Sequence, residues 1–315
     1  MAAATKDKNK KEKGPNGLYK ALKKALILTL KLAVSGGLLW FVLHKAGFQK
    51  VLETIRGMDE WYFLAAAGLY IAGTFVSCFR WRLFLPAKLA LKKLFSLYML
   101  GSFFNTFLPG MIGGDAVKGY YVYKETGRMA ESMASIFMDR YLGFTALMLI
   151  AFVAYPVGFP YLKGKGLAWL IPVIFTAFIV MSLLFFKLRL GNRIRLLADF
   201  YGHFGTYGKR ALFKGLIISL VVQSLSNISV YALARGFGLD VSLPLFFVFV
   251  PLITTFSSIP LSISGLGIRE ASFVLLFGSV GVAPQTATAL SFAFFLSSAA
   301  GSLPGLYEYL KIRKS

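Results

Sequence analysis

Asp115 stands directly behind Gly113-Gly114, and Glu270 follows Gly265 and Gly267 with Arg269 beside it. A carboxylate placed behind glycines has two uses. It caps a helix start, where unpaired N–H groups and the positive dipole end favour an anion. Alternatively, the glycine N–H groups and a nearby cation cradle a phosphate, and the carboxylate orients that cation or carries a proton. Both uses are open for Asp115 and for Glu270. Lys118 comes three residues after Asp115, so on one helix turn it either pairs with Asp115 or faces a phosphate. Asp139 and Arg140 are adjacent inside an apolar run, where neighbours on a helix point different ways and need not pair with each other. A charge at mid-membrane costs about 2.5–3.5 kcal/mol and faces a bundle interior, whereas one near the interface costs less. Arg80 and Arg82 close another apolar run. They are interfacial anchors with snorkelling stems, or guanidinium forks for a lipid phosphate. Asn105 precedes the break at Pro109, and either satisfies freed backbone groups or lines a polar path. Lys31, alone in the first apolar run, packs or snorkels.

Two Pro/Gly-broken stretches must position these groups: FLPGMIGGD at 107–115 and SIPLSISGLGIRE at 258–270. Each runs from a proline through glycines to one carboxylate. Similarly broken segments in corresponding places of two halves point to a transporter's binding site. A bilayer tolerates irregular backbone only where protein buries it or water reaches it.

The rest of the chain is apolar. Of 315 residues 57% are hydrophobic and 15% charged, more apolar side chain than a soluble protein of this length can hide. The expected fold is therefore an all-α integral membrane protein. Spans fall at about 22–44, 61–85, 131–156, 167–187, 211–235 and 284–308, with 45–60 as a polar loop. The apolar part of 93–126 is too short to cross about 30 Å of hydrocarbon, so it reads as a re-entrant pair of half-helices. Residues 242–260 and 268–281 read as a second pair.

Net charge is +22, from 35 Lys and Arg against 13 Asp and Glu. In a soluble protein that excess would suggest nucleic acid. Here it gathers beside apolar runs, so it sets topology and attracts anionic headgroups, and no nucleic-acid partner is expected. The basic regions are residues 1–20 (read as a disordered cytoplasmic tail), Arg80–Lys93, the stretch holding Arg189, Arg193, Arg195, Lys209 and Arg210, and Lys311, Arg313 and Lys314. Both termini are then cytoplasmic in an inner cell membrane, provided both broken elements re-enter without crossing. Residues 21–315 form one membrane domain, with 61–156 and 211–310 as half-repeats of opposite orientation, the architecture from which alternating access follows.

The negatives narrow the chemistry. Cys78 is the only cysteine, and His44 and His203 stand apart, so no internal disulfide, metal site or cofactor is expected. There is no Walker loop, GxGxxG or HExxH, so ATP bound to this chain does not power it. The sequon Asn227-Ile-Ser229 falls inside a span, out of reach of glycosylation.

Four motifs together, FRWRLFL (79–85), NTFLPGMIGGDAVKGYY (105–121), MDRYLGF (138–144) and SISGLGIREAS (262–272), resemble the lysylphosphatidylglycerol synthase transmembrane region, the flippase-like domain family. The resemblance covers nearly all of 20–310. It implies a membrane domain that moves aminoacylated phosphatidylglycerol between leaflets, beside a soluble acyltransferase-like domain that makes that lipid. Ser264 stands where relatives commonly have a second glycine, and Lys118 where arginine is common. No acyltransferase-like segment follows the last span, so lysyl transfer by this chain is not expected, and a separate synthase would supply the lipid. The expected function is translocation of an anionic or aminoacylated phospholipid or a polyprenyl-linked lipid. Arg80, Arg82 or Arg140 would hold its phosphate with glycine N–H groups. Asp115, Asp139 and Glu270 would switch salt bridges between access states, so Asp115→Ala or Glu270→Ala would abolish transport in a folded protein. A membrane-embedded lipid transferase and a non-transporting scaffold for envelope-lipid enzymes are the competing classes.

Overall fold

A helix of 17 residues rises only about 25 Å, short of the hydrocarbon thickness, and the segment around the first break is built from such pieces. In the computed structural model, which describes residues 15–107, 113–188, 195–259 and 262–314, the elements are helices: α1 Pro15–Ala46, α2 Phe48–Arg56, α3 Glu60–Arg82, α4 Leu91–Phe107, α5 Gly113–Thr126, α6 Met129–Gly164, α7 Leu170–Leu188, α8 Arg195–Phe204, α9 Lys209–Gly236, α10 Leu243–Ser258, α11 Ile268–Gly278, α12 Pro284–Ser302 and α13 Pro304–Lys314. Five runs among the described residues are long and apolar enough to cross a membrane: α3, α6, α7, α9, and the stretch joining α12 to α13. The first expected span lies within α1, which is not one of the five. On α7 the side chains of Val173, Ile179, Met181 and Leu183 are exposed, an outward apolar face suited to hydrocarbon and costly in water. The chain is an all-α, multi-pass membrane protein.

Several boundaries differ from expectation. Helix α6 continues through Pro156 and Pro160 to Gly164, and membrane helices tolerate interior prolines of this kind. The supposed polar loop at 45–60 contains α2, whose Val51 is buried against Ala46 and Ala289. Helix α3 starts at Glu60 because the Asp59 carboxylate accepts from the N–H of Trp61 at 3.0 Å, and it ends at Arg82. Helix α1 begins at Pro15, within the stretch read as a tail. Residues 1–14, Arg189 and Arg193 lie outside the described residues.

The centre is an antiparallel pair. The Asp59 N–H donates to the Gly236 carbonyl at 3.2 Å, Ser229 Oγ to the Ala66 carbonyl at 3.4 Å, and Arg80 Nη1 to Ser219 Oγ at 3.1 Å. These pairings run in opposite order along α3 and α9. The first broken element is an antiparallel hairpin, since Lys93 pairs with Glu125 near one end and Asn105 meets Gly114 near the other. The second is another hairpin, with Phe246 on Phe277 (ring centroids 5.2 Å apart) and Ser257 against Gly265. One hairpin starts beyond the Arg82 end of α3 and the other beyond the Gly236 end of α9, so the two enter the bundle from opposite ends. Packing in the two halves corresponds: α6 lies on α9 and α10, while α12 lies on α3 and α4.

Closure of the first hairpin depends on glycine. A Cβ at Gly114 would sit 1.8 Å from the Gly101 carbonyl oxygen, a backbone atom that cannot rotate away. Gly114→Ala is therefore expected to destabilise the protein by about 3 kcal/mol, the upper range for overpacking. Denaturant unfolding in micelles checks this, and a variant as stable as wild type would show that the hairpin can open at no cost.

Candidate functional site

Charged side chains that enter a membrane need partners, and five of the sequence candidates find them in one place. Asp139 of α6 is fully buried and accepts from Arg80 Nε of α3 at 2.7 Å and from the Tyr98 hydroxyl of α4 at 2.7 Å. The remaining Arg80 nitrogens donate to Ser219 Oγ of α9 at 3.1 Å and to Tyr98 at 3.3 Å. Ser219 in turn donates to the Gly215 carbonyl at 2.8 Å. Every polar atom of Arg80 is thus occupied inside the bundle, the condition under which a buried ion pair is tolerated.

Beside this network, Asp115 at the start of α5 receives Arg140 in a two-pronged pair, Nε at 2.7 Å and Nη2 at 3.1 Å. Lys118 Nζ lies 3.1 Å from Asp115, 3.9 Å from Asp139 and 4.1 Å from the centre of the Tyr98 ring. Asp139 and Arg140 point apart and find different partners, as helix geometry requires. The group holds three cations, Arg80, Lys118 and Arg140, against two carboxylates.

The Arg140 side chain is 56% exposed despite its pair, because it faces a cavity of about 450 Å³. Lys118, Asn105 and Tyr98 also line that cavity, as do Thr254 and Ser258 of α10, Ser264 of the second turn, and Gln223 of α9. Both hairpins therefore contribute to one cavity, whose wall also carries apolar side chains such as Leu69, Val222 and Phe294.

Other candidates lie elsewhere or are already engaged. Arg82 is on the exposed side of α3, in a separate groove with Lys88 and Lys214. Arg80 has no nitrogen free for a phosphate. The glycine cradle is also taken. The Gly114 N–H donates to Asn105 Oδ1 at 2.9 Å, and the Gly267 N–H to Glu270 Oε2 at 2.6 Å. Gly113 begins α5, and Gly265 sits at φ +76 against Ser257. Pro109 lies outside the described residues. Among those residues, no group of three or more His, Cys, Asp or Glu could hold a metal.

Glu270 departs most from the reading of it as a gate. It is fully buried and holds the Gly267 N–H, Arg269 Nη2 at 2.6 Å and Ser291 Oγ at 3.1 Å. Gly267 has φ +85 and approaches Ser35 and Leu38 of α1, so this carboxylate fixes the turn and the start of α11. Glu270→Gln is expected to lower stability by about 2 kcal/mol, the worth of hydrogen bonds to a charged group. A thermal melt in micelles would show the loss, and an unchanged melt would return Glu270 to the list of gates.

Sequence reasoning missed Tyr98, Ser219, Gln223 and Ser291. The signal existed on α9, where Ser219, Gln223 and Ser226 recur at helical spacing in an apolar run. Residues 28–305 match the family described as the lysylphosphatidylglycerol synthase TM region. No curated protein matches the chain.

Proposed function

Because the chain belongs to the lysylphosphatidylglycerol synthase TM region family, we propose that it moves a phosphate-bearing lipid across the cell membrane without changing it chemically. One observation carries this reading: a cavity between two hairpins that enter from opposite ends, lined by the cations Lys118 and Arg140. The hairpins act as re-entrant elements of an inverted repeat, six spans surround them, and both termini face the cytoplasm of an inner membrane. The headgroup enters the cavity while the acyl chains stay in lipid.

Arg140 is the gate in this mechanism. Among the described residues its Nη1 makes no hydrogen bond, while Nε and Nη2 hold Asp115. A lipid phosphate takes the guanidinium fork in bidentate geometry, and Asp115 falls back on Lys118. When the phosphate leaves, the Arg140–Asp115 pair closes again. Two states that differ in pairing are what alternating access requires.

The test is a leaflet-exposure assay. Purified protein is placed in liposomes with headgroup-labelled lipids, exposure is read by a membrane-impermeant quencher, and lipids are recovered to look for altered products. Protein-dependent exposure of intact lipid is the expected result. Folded protein that moves no lipid, with or without an imposed proton gradient, would refute the reading, and a modified lipid would make the chain a transferase.

A further inference from the structure

We infer that a second lipid site lies on the outside of the bundle, where the end of α3 meets the start of α9, and that it holds an anionic phospholipid as a resident and not as cargo. This goes beyond the transport reading and does not depend on it.

Three cations from three separate segments converge on a recess of about 630 Å³: Arg82 from the last turn of α3, Lys88 from the link to α4, and Lys214 from the second turn of α9. A single Lys or Arg at the end of a span is an anchor whose stem lies along hydrocarbon. Three that share one recess without an anion are a different case, because like charges held together repel. Among the described residues none of the three makes an ion pair or a side-chain hydrogen bond, and no Asp or Glu lines the recess. Exposed cations at other helix ends do have carboxylates, as in Lys93 with Glu125, Arg128 with Glu131 and Arg235 with Asp240. A phosphate supplies the missing charge, and a guanidinium receives it in fork geometry.

The rest of the recess decides between a soluble anion and a lipid. Its wall is apolar, built from Phe79, Leu83, Ile217 and Ile218. Helices α3 and α9 run antiparallel, with Arg80 level with Ser219. Phe79 therefore lies deeper in the bundle than Arg82, and Ile217 and Ile218 lie deeper than Lys214. Cations stand at the membrane surface and an apolar wall runs from them toward hydrocarbon, the polarity of a phospholipid. Phe79 and Ile217 are also exposed. A free phosphate would use the cations and leave this wall bare, whereas a phospholipid covers both. Basic pockets between membrane helices take anionic headgroups in this way.

The same geometry makes the lipid a resident. Behind the recess, Phe84 is fully buried against Gly215, and Arg80 donates to Ser219. The recess and the central cavity share no lining residue, so a headgroup bound here is off the path between the hairpins. It instead ties the central pair α3 and α9 to the segment that leads into the first hairpin.

Photolabelling tests this. The purified full chain is placed in phosphatidylcholine vesicles with a trace of phosphatidylglycerol carrying a photoreactive group on one acyl chain, and adducts are mapped by peptide sequencing. Adducts are expected on the Phe79–Leu83 and Phe213–Ile218 segments. Unlabelled phosphatidylglycerol should compete, while phosphatidylcholine and free glycerol phosphate should not. Each Lys or Arg beside an anionic headgroup is worth about fivefold in binding, so Arg82→Gln, Lys88→Gln and Lys214→Gln together should lower labelling at least about tenfold. All three side chains are exposed, and a melt in micelles checks that the triple variant is folded. Neutralising the exposed Lys45, Lys50 and Lys165 removes the same charge elsewhere and should leave labelling unchanged. Arg140→Gln, which alters only the central cavity, should also leave it unchanged. Equal labelling by a photoreactive phosphatidylcholine, or equal loss in the two triple variants, would overturn the site. Competition by free glycerol phosphate would make it a soluble-anion site and overturn the lipid. Loss of labelling in Arg140→Gln would show that the lipid is cargo on its way to the cavity.

Discussion

Arg140→Gln lowers lipid movement about a hundredfold, within the 2–5 kcal/mol lost when one partner of a hydrogen-bonded charge pair is truncated. The protein nevertheless remains folded. The two outcomes separate because Asp115 keeps Lys118 at 3.1 Å when Arg140 is lost, so its carboxylate is not left unpaired, while the Arg140 side chain is 56% exposed to the cavity. Its use lies in the exchange of one anion for another. Arg140→Lys should retain intermediate activity, since a point charge replaces a planar fork. Asp115→Ala gives the sharper contrast. Without its resting partner Arg140 holds a phosphate longer, so lipid binds at least as tightly while movement stops. Arg140→Gln loses binding and movement together. Opposite effects on affinity from the two members of one salt bridge would identify it as the gate. Wild-type flux in Arg140→Gln would sink the mechanism, as would loss of binding in Asp115→Ala.

Much of this geometry was legible before any fold was known, because hydrocarbon leaves few solutions for charged residues. Asp115 was marked by the glycines before it, Lys118 by its spacing from Asp115, and Asp139 and Arg140 as charges in an apolar run; their clustering follows from their mutual need for partners. The hairpins were legible because α4 and α10 are too short for the bilayer and are followed by Pro/Gly turns. Pairing across distant segments was not. Arg80 lies 59 positions from Asp139, and nothing in the sequence set it apart from Arg82 two residues later. Helical geometry put Arg80 inward and Arg82 on the exposed face. Glu270 misled because a carboxylate behind glycines serves equally as helix cap or gate. The choice turned on Ser291 and the Gly267 N–H, which fill its oxygens.

Asp139→Ala should behave oppositely to Arg140→Gln and destabilise the fold itself by about 3–5 kcal/mol, the range for breaking a buried pair from one side. The side chains of Arg80 and Asp139 are 6% and 0% exposed, so neither charge has solvent to fall back on. Removing the carboxylate leaves a guanidinium with only two neutral hydroxyl partners, Ser219 and Tyr98. It also strips Tyr98 of its acceptor, and Lys118 of its second carboxylate neighbour. Replacing both ions with apolar residues of similar volume, Arg80→Met with Asp139→Leu, should restore most of the stability, because desolvation of two charges nearly cancels their attraction. Denaturant unfolding in micelles of the two singles and the double gives the coupling directly. A double variant no more stable than Asp139→Ala would mean that the network holds α3, α4, α6 and α9 together by more than charge. A single variant within about 0.5 kcal/mol of wild type, as at ordinary surface sites, would mean that water reaches Arg80. The bundle centre would then belong to the transport path and not to its frame.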